Sequence, residues 1–244
     1  KRYFATKDNT ITNAFKSNLS TRGTGSNMGA ADVLEVFSIF GQASSSSGLS
    51  SELSRVLVEF NTDEISSDRS SGVIPASGSV SFYFKLFNAR HGQTLPKNFT
   101  LDVSAISGSW SEGTGLDMEG YTDVGFSNFI SASSTSGWVN EGGDYYTDVS
   151  SSFTASFDNG TEDLEVDVTM LVEQWISSSA NDPTAINLGS KDNNGIGVFL
   201  SSNLEDDSRS YYTKKFFSRS SEFFFKRPVL EARFDSRELD NRGN

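Results

Sequence analysis

Apolar residues in this chain recur at every second position, and no other feature limits its fold so tightly. Val80, Phe82, Phe84 and Leu86 alternate with Ser81, Tyr83 and Lys85. Phe99, Leu101 and Val103 alternate with Thr100, Asp102 and Ser104, and Leu164, Val166 and Val168 with Glu165 and Asp167. A period of two puts successive side chains on opposite faces. Each stretch therefore predicts a strand with one buried and one wet face, as in an antiparallel sheet. Less regular runs near residue 10 and at 32–40, 54–60, 151–157, 195–201 and 211–217 add further strands. Pro228 cannot donate to a ladder, so a last strand begins beyond it, with Leu230, Ala232 and Phe234 on one face and Glu231 and Arg233 on the other.

One helix is expected. Thr169 is a suitable N-cap, Leu171, Val172, Trp175 and Ile176 share a helical face, and Glu173 and Gln174 fall on the solvated side. Ser- and Gly-rich connections occupy 41–54, 66–79 and 131–137. The stretch 107–146 is long and strand-poor, the kind of segment that is either functional or mobile. The expected architecture is all-β, a jelly-roll-like antiparallel β-sandwich with one short helix near 169–177. A single domain is expected over 8–235, between linkers at 1–7 and 236–244. Starting at Lys1 and ending on a polar run, the chain reads as one piece of a longer polypeptide.

Acidic residues outnumber basic ones 32 to 20, for a formal net charge of −12. Such a surface repels a polyphosphate backbone, which argues against nucleic acid as a partner. The chain has no cysteine, so disulfides and thiolate metal sites are excluded. No apolar run approaches the ~20 residues that span a bilayer, so membrane insertion is not expected.

Residues with chemistry are few. His91 is the only histidine and no Gly-x-Ser-x-Gly elbow accompanies it, so it reads as a loop residue. Glu112, in the Trp- and Gly-bearing "SWSEGTG", is the best single carboxylate for a ligand. Glycoside hydrolysis would require a second carboxyl about 5 to 9.5 Å away. The structural alternative is that Trp110 caps the core while Glu112 accepts loop N–H groups. Trp138, Tyr145 and Tyr146 suit stacking on a glycan, against a core role for the tryptophan. The oxygen-rich segments 158–163, 191–195 and 204–208 have the composition of calcium loops and nominate Asp192, Asn194, Asp206 and Asp207 for Ca2+. Asx-rich turns are also common without metal. In Phe223, Phe224 and Phe225, alternation sets the middle ring opposite its neighbours, so one set is expected in the core and the other at an interface.

Taken in order, "KDNTITNAF", "ADVLEVF", "SRVLVEFN", "SGSVSFYFKLF", "SWSEGTG", "LEVDVTMLVEQW", "NNGIGVFLSS", "YYTKKFFSR" and "KRPVLEARF" resemble the disaggregatase-related (DNRLRE) β-sandwich domain. The likeness runs from Asp8 to Phe234. Its most specific part is Asp167, Val168, Thr169, Val172 and Trp175, then Gly195, then Arg227, Pro228 and Leu230. The Ser-rich insert at 43–51 departs from it. The resemblance implies a jelly-roll-like module of a large extracellular or surface protein. Relatives include carbohydrate-binding modules and domains attached to polysaccharide-degrading enzymes. "GTGSNMGAADVLE", "EGTGLDMEGYTD" and the 211–235 stretch look like virion structural proteins of marine bacteriophages, which implies the virion exterior. No catalytic residue carries over. The expectation is a non-enzymatic structural or adhesive module (decoration, fibre or tail-associated) partnered by copies of itself or other virion proteins. The alternatives are a carbohydrate-binding module for host surface polysaccharide and a polysaccharide-degrading enzyme domain.

Overall fold

The computed structural model describes residues 1–45, 48–93, 95, 97–116, 125–178, 190–209 and 212–237. In chain order its elements are β1 (Arg2–Thr12), β2 (Val33–Ser45), β3 (Gly48–Phe60), α1 (Thr62–Ser70), β4 (Val80–Leu86), β5 (Phe99–Ala105), β6 (Ser152–Phe157), β7 (Leu164–Asp167), α2 (Thr169–Ser178), β8 (Ile196–Leu200), α3 (Ser202–Glu205), β9 (Tyr212–Phe217) and β10 (Val229–Phe234). The fold is all-β, as the alternation predicts, and α2 starts at Thr169.

Every pairing among these strands is antiparallel, in the order β6-β5-β8-β3-β1-β10-β4-β7, with β2 bridging β3 and β9. The Asn88–Phe216 bridge joins β9 to the chain just past β4, so the strands wrap into a nearly closed, barrel-like body. The last strand lies between the first strand and β4, pairing Tyr3 with Leu230 and Leu230 with Phe84. Leu230 and Ala232 are buried, while Phe234 packs at the core margin. Covering a leucine in this way is worth roughly 1.5 to 3 kcal/mol.

Two apolar cores result. The main one lies inside the wrapped sheet and holds Val56, Val58, Phe82, Phe84, Val103, Val198 and Leu230, with Trp175 of α2 plugging it. The second lies on the outside of β1 and β3. Ile11 and Leu57 point outward there, and Trp110, Phe129 and Trp138 from the long 107–146 segment cover them. Leu57 is thus buried as fully as Val56 and Val58 on the opposite face. A buried polar network fixes this third layer. Asn9 donates to Ser127 and accepts the Met28 N–H, and Asn27 donates to the Ser127 carbonyl while accepting the N–H groups of Gly29 and Gly115. Gly113 has to be glycine, because a Cβ there would lie 1.9 Å from Asn27 Oδ1.

Three expectations are corrected. Residues 2–7 belong to β1 rather than to a linker. A bulge between Ala5 and Lys7 shifts the register, so the buried positions Tyr3 and Ala5 run out of phase with those that follow, which hides the strand in the sequence. Of the C-terminal linker expected at 236–244, residues 238–244 lie outside the described residues. Second, α2 is not the only helix. α1 forms at the edge of a Ser-rich connection, capped by Asn61 accepting the Asp63 N–H. Third, Glu173 and Gln174 are buried rather than solvated, because α1 packs over α2 and brings Arg69 to Glu173.

Candidate functional site

Asp8, Glu112, Arg219 and Arg227, far apart in the chain, converge beside the first strand. Glu112 accepts the Asp8 N–H at 2.7 Å and is gripped by the Arg219 guanidinium, at 3.1 Å through Nε and 2.7 Å through Nη2. The Arg219 N–H in turn donates to Asp8 Oδ2, and Arg227 adds positive charge nearby. Glu112 is therefore held in an ion pair that braces β1 against the turn after β9, and Trp110 sits in the second core with its indole N–H on the Asn194 carbonyl. Asp8 is 1% exposed, and its Oδ1 has no partner among the described residues. Burial pushes its carboxyl up to about 7, and the Glu112 charge adds to this against the Arg219 N–H, which favours the anion.

Tyr145 and Tyr146 do meet in one place, and Trp138 does not join them. Trp138 is only 9% exposed, inside the second core, with its indole N–H donating to the Asn128 carbonyl. The two tyrosines border an open groove of about 520 Å³ on the outer face of β5, β6 and β8. The ladder sets its floor, since opposed residues of an antiparallel pair share a face. Asp102 lies opposite Thr154 on one side and Phe199 on the other, and Ser104 lies opposite Ser152 and Gly197. The Tyr145 ring rests directly on Gly197, where a Cβ would lie 2.1 Å from Cε1, and its hydroxyl donates to the Gly142 carbonyl. Arg55 closes one wall. It stacks 4.9 Å from the Phe199 centroid and forms a two-pronged pair with Glu205 at 3.0 and 2.7 Å. Asp102 has no hydrogen-bond or ion-pair partner among the described residues, and desolvation raises its carboxyl above the usual range. Asp102, Phe199 and Arg55 carry no motif that sequence reading would single out.

One of the oxygen-rich segments surrounds a lysine. In 158–163, Glu162 accepts the N–H groups of Asp158 and Asn159, and the cage of oxygens holds an internal ammonium. Lys214, 1% exposed, donates to Asn88 Oδ1 at 2.6 Å and to the carbonyls of Gly160 and Glu162 at 2.9 and 2.7 Å. Asp192 and Asn194 lie in the loop before β8, and Asp206 and Asp207 follow α3. Among the described residues no group of three or more His, Asp or Glu is arranged to hold a metal. His91 is a loop residue whose Nδ1 accepts the Gln93 N–H.

The phenylalanine run departs most from its expectation. None of the three rings enters the core. Phe223, Phe224 and Phe225 are 52, 48 and 74% exposed, because residues 224–226 form a 3-10 turn instead of continuing as strand. The turn is packed from below: Phe224 lies 4.5 Å from Phe4 of β1, and Phe223 lies 5.3 Å from Phe217 of β9. Lys226 stands 5.0 Å from the Phe217 centroid and Arg227 5.3 Å from that of Phe224. The result is a fixed aromatic surface rimmed by cations. Among the described residues no helix is long and apolar enough to cross a membrane. No protein-family model matches the chain, and no curated protein matches it in sequence.

Proposed function

We propose that the chain is a non-catalytic assembly module that docks through the aromatic turn at Phe223–Phe225 onto the acidic surface of another copy of itself. The observation that carries this reading is the exposure of three adjacent phenylalanines on a turn held in place by Phe4 and Phe217. Exposed aromatic clusters of this kind mark contact sites. Charge favours a second copy as the occupant. Lys226 and Arg227 stand against the rings, with Glu222 the one acid in the turn, whereas the chain as a whole carries −12. Two copies of the patch would repel one another, so the contact joins unlike surfaces and generates rings or filaments. The likeness to DNRLRE-type modules of marine phage particles supports a place on a virion exterior, as a decoration, fibre or tail-associated subunit.

Sedimentation velocity over a concentration series tests the reading. Association is expected in the wild type, weakened at least about tenfold in the Phe223→Ser/Phe225→Ser variant, with the monomer's thermal unfolding unchanged. A wild type that stays monomeric throughout the series, or a variant that associates equally well, overturns it.

A further inference from the structure

We propose that Lys214 and Asn88 condense into an intramolecular isopeptide bond, which ties β9 covalently to the chain just past β4. The bond would cross the seam that the Asn88–Phe216 bridge closes, and it does not depend on the assembly reading.

The two reactants already touch. Lys214 Nζ is 2.6 Å from Asn88 Oδ1. The carboxamide carbon lies one C=O bond, about 1.23 Å, from that oxygen, so Nζ and Cγ are at most about 3.8 Å apart. A near-attack separation is about 3–3.5 Å, within reach of a small rotation of the carboxamide.

The lysine is also prepared as a nucleophile. It is 1% exposed, and the ring centroids of Phe157 and Phe216 each lie 5.0 Å from Nζ. Burial pulls the amine down to about 8, against the charges of Glu162 and Asp163, which favour the ammonium. About a tenth of it is therefore neutral at pH 7. A neutral amine has two N–H bonds and one lone pair. The carbonyls of Gly160 and Glu162, at 2.9 and 2.7 Å, accept the two hydrogens. The direction left for the lone pair is the one toward Asn88.

The step balances without a co-reactant. The Nζ lone pair attacks Cγ, and the carbonyl electrons move onto Oδ1. As they return, the Cγ–Nδ2 bond breaks and Nδ2 leaves as ammonia, taking up the proton that Nζ gives up. We assign the transfer of that proton to Glu162, whose charge bears on the amine. Its Oε1 accepts the N–H groups of Asp158 and Asn159, while Oε2 is buried with no partner among the described residues. Those backbone donors, Asn159 first, hold the carboxyl below its ordinary range, so it is an anion at neutral pH and can accept a proton. Asp163 is committed elsewhere, accepting the Asn88 N–H at 2.8 Å.

The bond suits its place. The two residues are 126 positions apart, and a cross-link over so long a loop strongly restricts the unfolded chain. The chain has no cysteine with which to make that link as a disulfide. Most of the amine is protonated at neutral pH, so a freshly folded chain is open and carries the titrating lysine. The closed chain carries a neutral amide.

The test is intact-mass spectrometry of the whole chain, freshly refolded and then incubated at pH 8, where the amine titrates. Proteolysis and sequencing of the cross-linked peptides follow. The mass is expected to fall with time by that of one ammonia, and a branched peptide is expected to join Asn88 to Lys214. This readout needs no variant to fold. Lys214→Arg and Asn88→Ala are expected to keep the full sequence mass. Glu162→Gln is expected to slow closure at least about tenfold. The proposal is overturned if the incubated wild type keeps its full mass, or if the loss persists in Lys214→Arg, as a succinimide at Asn159–Gly160 would give. An undiminished rate in Glu162→Gln overturns the assignment of the proton transfer.

Discussion

Arg69 and Glu173 meet fork to fork inside the protein, with Nη1 and Nη2 at 2.8 and 2.6 Å from the two carboxylate oxygens and side chains 0 and 2% exposed. This pair fastens α1 over α2. Removing one member leaves a buried charge, which costs about 3–5 kcal/mol. Glu173→Gln is therefore expected to lower the urea unfolding free energy by that amount. The double replacement Arg69→Met/Glu173→Leu is expected to recover most of it. Equal losses in the single and double variants would refute the pair as the fastening.

The closing strand supplies a second prediction. Leu230 is fully buried between Tyr3 of β1 and Phe84 of β4. Leu230→Ala removes buried methyl groups and leaves a cavity, so a loss of about 2–5 kcal/mol is expected in chemical unfolding. A loss below 1 kcal/mol would mean that the strand is not part of the cooperative core.

Lys214 is expected to be indispensable to its loop. Lys214→Met leaves Asn88 Oδ1 and the carbonyls of Gly160 and Glu162 without their donor, at a cost of about 3 kcal/mol or more at pH 7. Burial pulls the folded amine down to about 8 from its ordinary 10.5. Over that window the unfolded chain holds the proton that the folded chain has released. Wild-type stability should therefore rise from about pH 8 to 10.5 relative to the methionine variant, as paired melts would show. A constant difference would contradict this.

Asp8 predicts the opposite slope. Its folded carboxyl titrates near 7 instead of 3.8, among Glu112, Arg219 and Arg227. Between those values the folded chain keeps a proton that the unfolded chain loses, so stability falls as pH rises through this window, by at most about 4 kcal/mol. Asp8→Asn removes the slope. Measured at pH 4.5, 6 and 8, the variant's stability should gain steadily on the wild type. A pH-independent difference would contradict the raised carboxyl.

The strands were legible because a half-buried strand writes its two faces into alternate residues, as Val80–Leu86 and Phe99–Ala105 do. The same rule places Leu230 inside. Helix α1 was not legible, since "TDEISSDRS" has a single large apolar residue, Ile65, and is held by a cap and by Arg69, whose partner lies 104 residues away. The burial of Glu173 escapes local spacing for the same reason. The Lys214 cage joins residues 126, 54 and 52 positions apart, and the Glu112–Arg219 pair spans 107, so local spacing shows neither. At Phe223–Phe225 strand alternation has no meaning, because residues 224–226 form a 3-10 turn. Of the groove, the tyrosines were legible as loop aromatics, while Asp102 looked like any other outward strand residue.

The assembly contact itself is tested most directly by replacing Phe225, the most exposed ring of the turn, with photoreactive benzoylphenylalanine and mapping the cross-links by mass spectrometry. An equal mixture of isotopically light and heavy chains distinguishes contacts between copies from those within one. Light–heavy cross-links from position 225 to acidic surface segments are the predicted result. Cross-links confined to one chain, or between-copy links only from position 225 to position 225, would contradict the account.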